Sequence, residues 1–126
     1  MTTIETVTEH ANMVTALFKP GQDIIESLTA SKANLLHMAV GISGESGELL
    51  DAIKKAVIYN KPIDRKNVIE ELGDLEFYIE GLRQELHITR HETLESNIDK
   101  LLTSDNARYK MGKYTDQQAQ DRADKA

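Results

Sequence analysis

The chain contains no cysteine and no tryptophan, and only two of its residues are proline. The lack of cysteine excludes disulfide bonds, thiolate nucleophiles and zinc sites with sulfur ligands. Basic residues are in the minority, since 15 Lys and Arg stand against 21 Asp and Glu, and the formal net charge is −6. General binders of nucleic acid or of a membrane surface present a basic face, so neither partner is expected here.

Long apolar runs are also missing. No run approaches the roughly 18 residues that a membrane-spanning helix needs, and the first residues are polar, without the apolar core of a signal peptide. We therefore expect a soluble cytoplasmic protein. The length of 126 residues predicts one domain over 1–126, with a core over about 31–102 and a polar C-terminal segment over 103–126.

Apolar residues recur at helical spacing through most of the chain, and no strand-like alternation is present. Ser31 and Asp64 stand where they can cap the two longest helices, and a short helix after Thr115 is a further candidate. The predicted fold class is all-α, a bundle of four or five helices. The main predicted helices cover about 4–18, a short stretch from 24, and about 31–58, 65–86 and 90–102.

Two acidic pairs with i,i+3 spacing stand on the two longest predicted helices. Glu45 and Glu48 lie in GISGESGELLDAIKK, and Glu71 and Asp74 lie in VIEELGDLEFYIEGL. Residues three apart share one side of a helix. On the second helix Glu71 falls about 60° and Asp74 about 120° from the centre of the apolar stripe, whereas Glu70 lies nearly opposite it. If the stripes of the two helices pack together, all four carboxylates converge at the edge of the seam.

Either pair alone is commonplace on an acidic helix, where a solvated face is the simpler interpretation. The matched positions on neighbouring helices favour a metal site, because four converging carboxylates would otherwise repel one another. Oxygen donors without cysteine favour Mg²⁺, Mn²⁺ or Ca²⁺. Mg²⁺ keeps bound waters and takes phosphate oxygens as further ligands, which indicates a phosphorylated substrate.

The segment LLHMAVGISGESGELLDAIKK, followed by EELGDLEFYIEGL, resembles the MazG-like family of all-α nucleoside triphosphate pyrophosphohydrolases. The family motif is Glu-x-x-Glu, a spacer and Glu-x-x-Asp, and the spacer here is residues 49–70. The resemblance implies Mg²⁺-dependent hydrolysis of an NTP or dNTP to the monophosphate and pyrophosphate. It also implies that four residues are catalytic and bind the metal, namely Glu45, Glu48, Glu71 and Asp74.

Further substrate contacts are predicted outside the carboxylates. Tyr78 follows Asp74 by one turn, where it borders the base or covers the rim of the core. Lys55 can reach a phosphate or offset the helix dipole. The pattern Asn97-x-x-Lys100-Leu, with Arg108-Tyr109 downstream, resembles the ending of small, stand-alone and phage-type family members. The candidate substrate-binding residues are thus Tyr78, Asn97, Lys100, Lys55 and Arg108.

The resemblance also implies a homodimer or homotetramer, and a role in removing non-canonical or surplus nucleotides. Two other interpretations stay open. One is a non-catalytic helical module with a metal-stabilised fold that acts through protein contacts. The other is a related enzyme for a different phosphorylated substrate, such as a nucleoside diphosphate derivative or phosphoribosyl-ATP.

Overall fold

The computed structural model describes residues 1–125, and helices make up most of them. A π-helix over Asp99–Thr103 continues the fifth α-helix, and a 3₁₀ turn over Ala123–Lys125 follows the sixth. No β-strand occurs within residues 1–125, so the predicted all-α class is confirmed. The α-helices are α1 (Thr3–Leu17), α2 (Gly21–Ser27), α3 (Ala30–Val57), α4 (Arg65–Leu86), α5 (Arg90–Ile98) and α6 (Asp116–Asp121).

Side-chain caps explain where several helices begin. Thr2 and Thr89 each form a capping box, in which the hydroxyl accepts a hydrogen bond from the N–H of a glutamate three residues later. That glutamate accepts in return from the N–H of the threonine. Asp64 accepts from the N–H of Asn67 at 3.1 Å, which confirms it as the cap of α4. These caps satisfy donors that the first helical turn leaves without partners.

The predicted cap of α3 is wrong. Ser31 lies inside the helix, which already begins at Ala30. The hydroxyl of Thr29 accepts a hydrogen bond from the N–H of Lys32 at 3.1 Å, so Thr29 supplies the cap instead. Both residues have cap-forming side chains, and periodicity does not distinguish start points two residues apart.

The π-helix interrupts the helix that was predicted to run to about residue 102. In it, the N–H of Ser104 donates to the carbonyl of Asp99 at 2.9 Å, a bond that spans five residues instead of four. The next backbone bonds turn the chain back on itself. The N–H of Arg108 donates to the carbonyl of Lys100 at 3.0 Å, and that of Tyr109 donates to Leu101 at 2.9 Å.

The chain forms two compact units, residues 1–33 and the part from Asn34 onward. The second unit holds most of α3 and everything after it. Within that unit, the ring of Tyr78 lies against Gly41 and the side chain of Met38 lies against Gly81. These two contacts pair α3 and α4 in antiparallel directions, because a later residue on α3 meets an earlier one on α4. The single-domain assignment stays a prediction.

Few apolar side chains are deeply buried in the single chain. Within residues 1–125 the buried apolar residues are Ala52 and Ala107, which are 8% and 3% exposed. The predicted stripes occupy mostly half-buried positions, such as Leu75 and Ile79. Beside its stripe, α3 carries four side chains that are 60–71% exposed and that we call the outer face of α3: Leu36, Val40, Leu50 and Val57.

None of the helices in the described residues is both long enough and apolar enough to cross a membrane.

Candidate active site

Three carboxylates meet between α3 and α4. Glu45 of α3 and Glu71 and Asp74 of α4 each place an oxygen within 4.8 Å of the other two, and we call these residues the carboxylate cluster. Glu45 and Glu71 are half-buried, and Asp74 is exposed. Glu48, the fourth predicted member, is exposed and lies outside the cluster. The structure thus brings three of the four predicted carboxylates together.

The close approach of the two helices beside the cluster depends on Gly41. Gly41 precedes Glu45 by about one helical turn, and Tyr78 follows Asp74 by about one turn. A Cβ atom on residue 41 would collide with the ring of Tyr78. Glycine at position 41 therefore permits this contact, and the contact sets the spacing of the helices next to the carboxylates.

The surroundings of Glu71 in the cluster make its ionisation less favourable. Desolvation raises the pKa of Glu71 above its usual range, and a hydrogen bond with Glu45 raises it further. Repulsion from the charges of Glu45, Asp74 and Glu48 adds to this shift in pKa. Glu48 therefore acts electrostatically on Glu71 although it lies outside the cluster. A positive charge placed between these groups would reverse the effect on Glu71.

The donor set fits a hard divalent cation. All donors are carboxylate oxygens, which suit Mg²⁺ and related ions. Octahedral Mg²⁺ with bonds of about 2.1 Å places its ligand oxygens about 3–4 Å apart. The observed separations, all within 4.8 Å, need little closure to reach that geometry. Three protein ligands leave coordination positions for water and phosphate.

Residues 33–109 match the MazG nucleotide pyrophosphohydrolase domain. The match covers more than half of the chain and includes both acidic pairs. The chain belongs to the MazG family. No curated protein and no solved structure gives a match to it. The family membership predicted from the sequence is therefore confirmed, and the activity associated with this MazG domain is nucleotide pyrophosphohydrolysis in general.

Two further predicted residues lie on α3 and α4, the helices that carry the carboxylate cluster. Tyr78 is half-buried, and its ring makes edge contacts with His37 and Phe77 at centroid distances of 6.1 Å and 5.1 Å. It serves at least as a packing residue between α3 and α4. Lys55 forms an exposed ion pair with Asp51 at 3.2 Å on its own helix. Exposed pairs of this kind contribute little to stability, so Lys55 is free to exchange partners.

The remaining predicted residues lie toward the end of the MazG match. Asn97 lines a cavity formed with the segment that follows the π-helix, and it also lines a second cavity, of about 340 Å³, with Lys100. Arg108 is half-buried and already has a partner. Its Nε and one terminal nitrogen donate to the two carboxylate oxygens of Asp124 at 2.8 Å and 3.1 Å. A phosphate that approached Arg108 would have to compete with that carboxylate.

Sequence reasoning missed the groups that the C-terminal segment supplies. Asp124 is the partner of Arg108, and its side chain is 2% exposed. Lys113 and Tyr114 line the cavity that Asn97 borders. All three residues lie beyond the MazG match and beyond the last periodic apolar pattern. No spacing rule relates Arg108 to an aspartate 16 residues later. The only signal in the sequence was the polar composition of residues 103–126, which does not indicate a pairing.

Proposed function

We propose that this MazG protein hydrolyses nucleoside triphosphates between the α- and β-phosphates, releasing the monophosphate and pyrophosphate. The carboxylate cluster is the observation that carries the proposal. Its charges repel one another, as expected of a site that holds a metal ion, and the chain belongs to the matching family. The role that we assign is removal of non-canonical or surplus NTPs and dNTPs. A non-catalytic module would have no use for such a cluster.

Glu45, Glu71 and Asp74 would hold Mg²⁺, or Mn²⁺ in its place. When bound, the ion neutralises phosphate charge and lowers the pKa of a coordinated water. Glu48 is exposed and lies outside the cluster, about one helical turn after Glu45. We assign it the role of general base, which accepts the proton of the attacking water. The close pairing of α3 and α4 supports these roles, since the proposed ligands come from both helices.

We also propose that the protein works as a homodimer or homotetramer. The single chain buries little apolar surface, and the outer face of α3 exposes four large apolar side chains. Apolar surface of this extent is typical of a protein–protein contact. A second copy is the simplest partner, because closed symmetric assemblies predominate among soluble oligomers.

The first experiment offers the purified protein a panel of NTPs and dNTPs with Mg²⁺ and separates the products by anion exchange. Monophosphate with pyrophosphate is the expected pair, and the relative rates identify the preferred base and sugar. Diphosphate with inorganic phosphate would contradict the assigned bond. Absence of turnover with either Mg²⁺ or Mn²⁺ would leave the non-catalytic module as the better interpretation.

Glu71→Gln and Glu70→Gln form a matched pair for the same assay. Glu71 belongs to the carboxylate cluster, whereas its exposed neighbour Glu70 does not. We expect the first substitution to reduce turnover by at least about 10³-fold, as the loss of several kcal/mol of charge stabilisation requires. The second should leave turnover within about twofold. Equal rates in the two variants would remove the cluster from the mechanism.

A further inference from the structure

A second candidate site lies where α5 ends. A cavity of about 270 Å³ opens between the C-terminal turn of α5, the π-helix and the segment after Arg108. Its walls include Asn97 and Leu101 on one side and Tyr109, Lys113 and Tyr114 on the other. We call it the tyrosine cavity. None of the carboxylates of the cluster lines it.

The chemistry of the walls suits a flat aromatic ring. The rings of Tyr109 and Tyr114 lie 5.8 Å apart, centroid to centroid, and are inclined by 39°. The hydroxyl of Tyr114 donates to Asp116 at 2.6 Å, and Tyr114 is 68% exposed, so part of its ring is accessible to a ligand. The volume is slightly below the roughly 300 Å³ at which pockets for drug-sized ligands begin. The cavity therefore suits a single ring system better than a complete nucleotide.

Polar groups on the cavity walls can orient a bound ligand. The amide of Asn97 offers both a donor and acceptors, which can read the edge of a heterocycle. The ammonium of Lys113 is a mobile positive charge on the cavity wall, and none of the described residues that line the cavity is acidic, although Asp116 lies beside Tyr114. A ligand that joins a planar heterocycle to an anionic group would satisfy both.

The ion pair of Arg108 with Asp124 helps to hold the outer wall in place. Its two hydrogen bonds close a loop that contains Lys113 and Tyr114. Arg108 is itself fixed by the bond from its N–H to Lys100, so the wall is tied to the π-helix at one end and to the C-terminal turn at the other. The cavity is therefore formed by the folded segment and not by α5 alone.

We propose that the tyrosine cavity binds the base of a nucleotide, with the ring against Tyr114, the base edge at Asn97 and the sugar-bound phosphate at Lys113. The proposal rests on the proposed function, because the nucleotide is the ligand class that the MazG domain supplies. Lys113 and Tyr114 lie beyond residues 33–109. The C-terminal segment would then contribute to base binding together with Asn97 and Tyr109, which lie within the family domain.

The test measures binding with hydrolysis suppressed. Nucleoside monophosphates and ribose 5-phosphate are titrated by calorimetry against the whole chain in EDTA. We expect the monophosphate that matches the preferred substrate to bind at least tenfold more tightly than ribose 5-phosphate. Tyr114→Ala should weaken the monophosphate about tenfold, since stacking of one base on an aromatic ring contributes about 1–3 kcal/mol. Tyr114→Phe should bind like the parent chain.

Two controls separate the cavity from the rest of the surface. Tyr59→Ala removes another exposed tyrosine, which lies away from the cavity, and should leave the affinity unchanged. Lys113→Gln should weaken the monophosphate but not the free nucleoside, whereas the same change at exposed Lys110 should affect neither. Unchanged affinity in Tyr114→Ala, or equal binding of ribose 5-phosphate, would overturn the proposal.

The outcomes also distinguish this inference from the proposed activity. If the chain hydrolyses NTPs and Tyr114→Ala alters neither base preference nor monophosphate binding, the activity stands and the base site is wrong. If monophosphates bind through Tyr114 but no triphosphate is turned over, the base site stands and the hydrolase assignment fails. Competition between monophosphate and substrate would identify the substrate's own base, and non-competitive inhibition would identify a nucleotide effector; both outcomes support a base-binding cavity.

Discussion

At the scale of single residues, the folded chain disfavours the ionised form of Glu71. Its pKa lies above the usual range through desolvation and the nearby charges, so its carboxylate is destabilised in the folded chain. Because the pKa of Glu71 is higher in the folded chain than in the unfolded chain, protonation of this carboxyl favours folding. This contribution to stability is present at low pH. That effect is lost as the pH rises through the folded pKa. Metal-free protein should accordingly lose stability at this site as the pH rises from about 4 toward neutrality.

Glu71→Gln should therefore melt at a higher temperature than the parent chain in EDTA at pH 7. The neutral amide removes the repulsion but cannot replace a carboxylate as a Mg²⁺ ligand. Addition of Mg²⁺ should raise the melting temperature of the parent chain and have a smaller effect on the variant. Thermal melts followed by circular dichroism, with Glu70→Gln as the control, provide the measurement. A lower melting temperature in EDTA would show that Glu71 stabilises the fold by other contacts.

Gly41 and Gly44 differ in what a methyl group would meet. At Gly41 it would collide with Tyr78, whereas at Gly44 nothing lies within 4 Å. We expect Gly44→Ala to stabilise the chain by about 0.5–1 kcal/mol through helix propensity. Gly41→Ala should destabilise it by about 1–3 kcal/mol through overpacking. Urea unfolding of both variants gives the two free energies, and stabilisation by both would mean that Tyr78 moves aside at little cost.

At the scale of elements, an ion pair between Arg108 and Asp124 ties the end of the C-terminal segment to the chain after the π-helix. Hydrogen bonds from Arg108 lower the pKa of Asp124 to about 2 from 3.8, although desolvation opposes the shift. Because the pKa of Asp124 is lower in the folded chain, its ionised form favours folding, and this contribution is present at pH values above the pKa of the unfolded chain. That stabilisation is lost as the pH falls through the folded value. The ion pair should thus contribute fully above about pH 4 and disappear toward pH 2.

Asp124→Asn isolates this contribution. The difference in free energy of unfolding between the parent chain and the variant should be constant at neutral pH and should shrink between pH 4 and pH 2. Limited proteolysis at pH 7 should cleave the variant after residue 109 faster than the parent chain, because one end of the loop is released. A difference in stability that did not change with pH would mean that the contact is not ionic.

The same elements show how far the sequence can be interpreted. Helix periodicity and the cap at Asp64 predict the extent of α4, and i,i+3 spacing places Glu71 and Asp74 on one side of it. Three-dimensional contacts have no such signal. The contact of Gly41 with Tyr78 and the pairing of Arg108 with Asp124 join residues whose separation follows no helical period. The tyrosine cavity depends on that second pairing, so it was visible only in the folded chain.

At the scale of the whole molecule, the outer face of α3 predicts that copies of this chain associate with one another. Leu50 is 68% exposed and lies in the middle of this face. Light scattering coupled to size exclusion should give two or four times the mass of the single chain. Leu50→Glu should shift the mass toward the monomer, because a buried charge without a partner is strongly disfavoured. Gln120→Glu, an exposed change on α6, should leave it unaltered. A monomeric parent chain would contradict the assembly.

We expect the π-helix at Asp99–Thr103 to let this part of the chain tolerate the loss of one residue. Removal of one residue from an ordinary α-helix rotates everything beyond it by about 100°. Here the N–H of Ser104 already spans one residue more than an α-turn to reach the carbonyl of Asp99. Deletion of Thr103 would let the same two groups close a standard α-turn. The downstream chain, with Arg108 and the tyrosines, would then keep its orientation relative to α5.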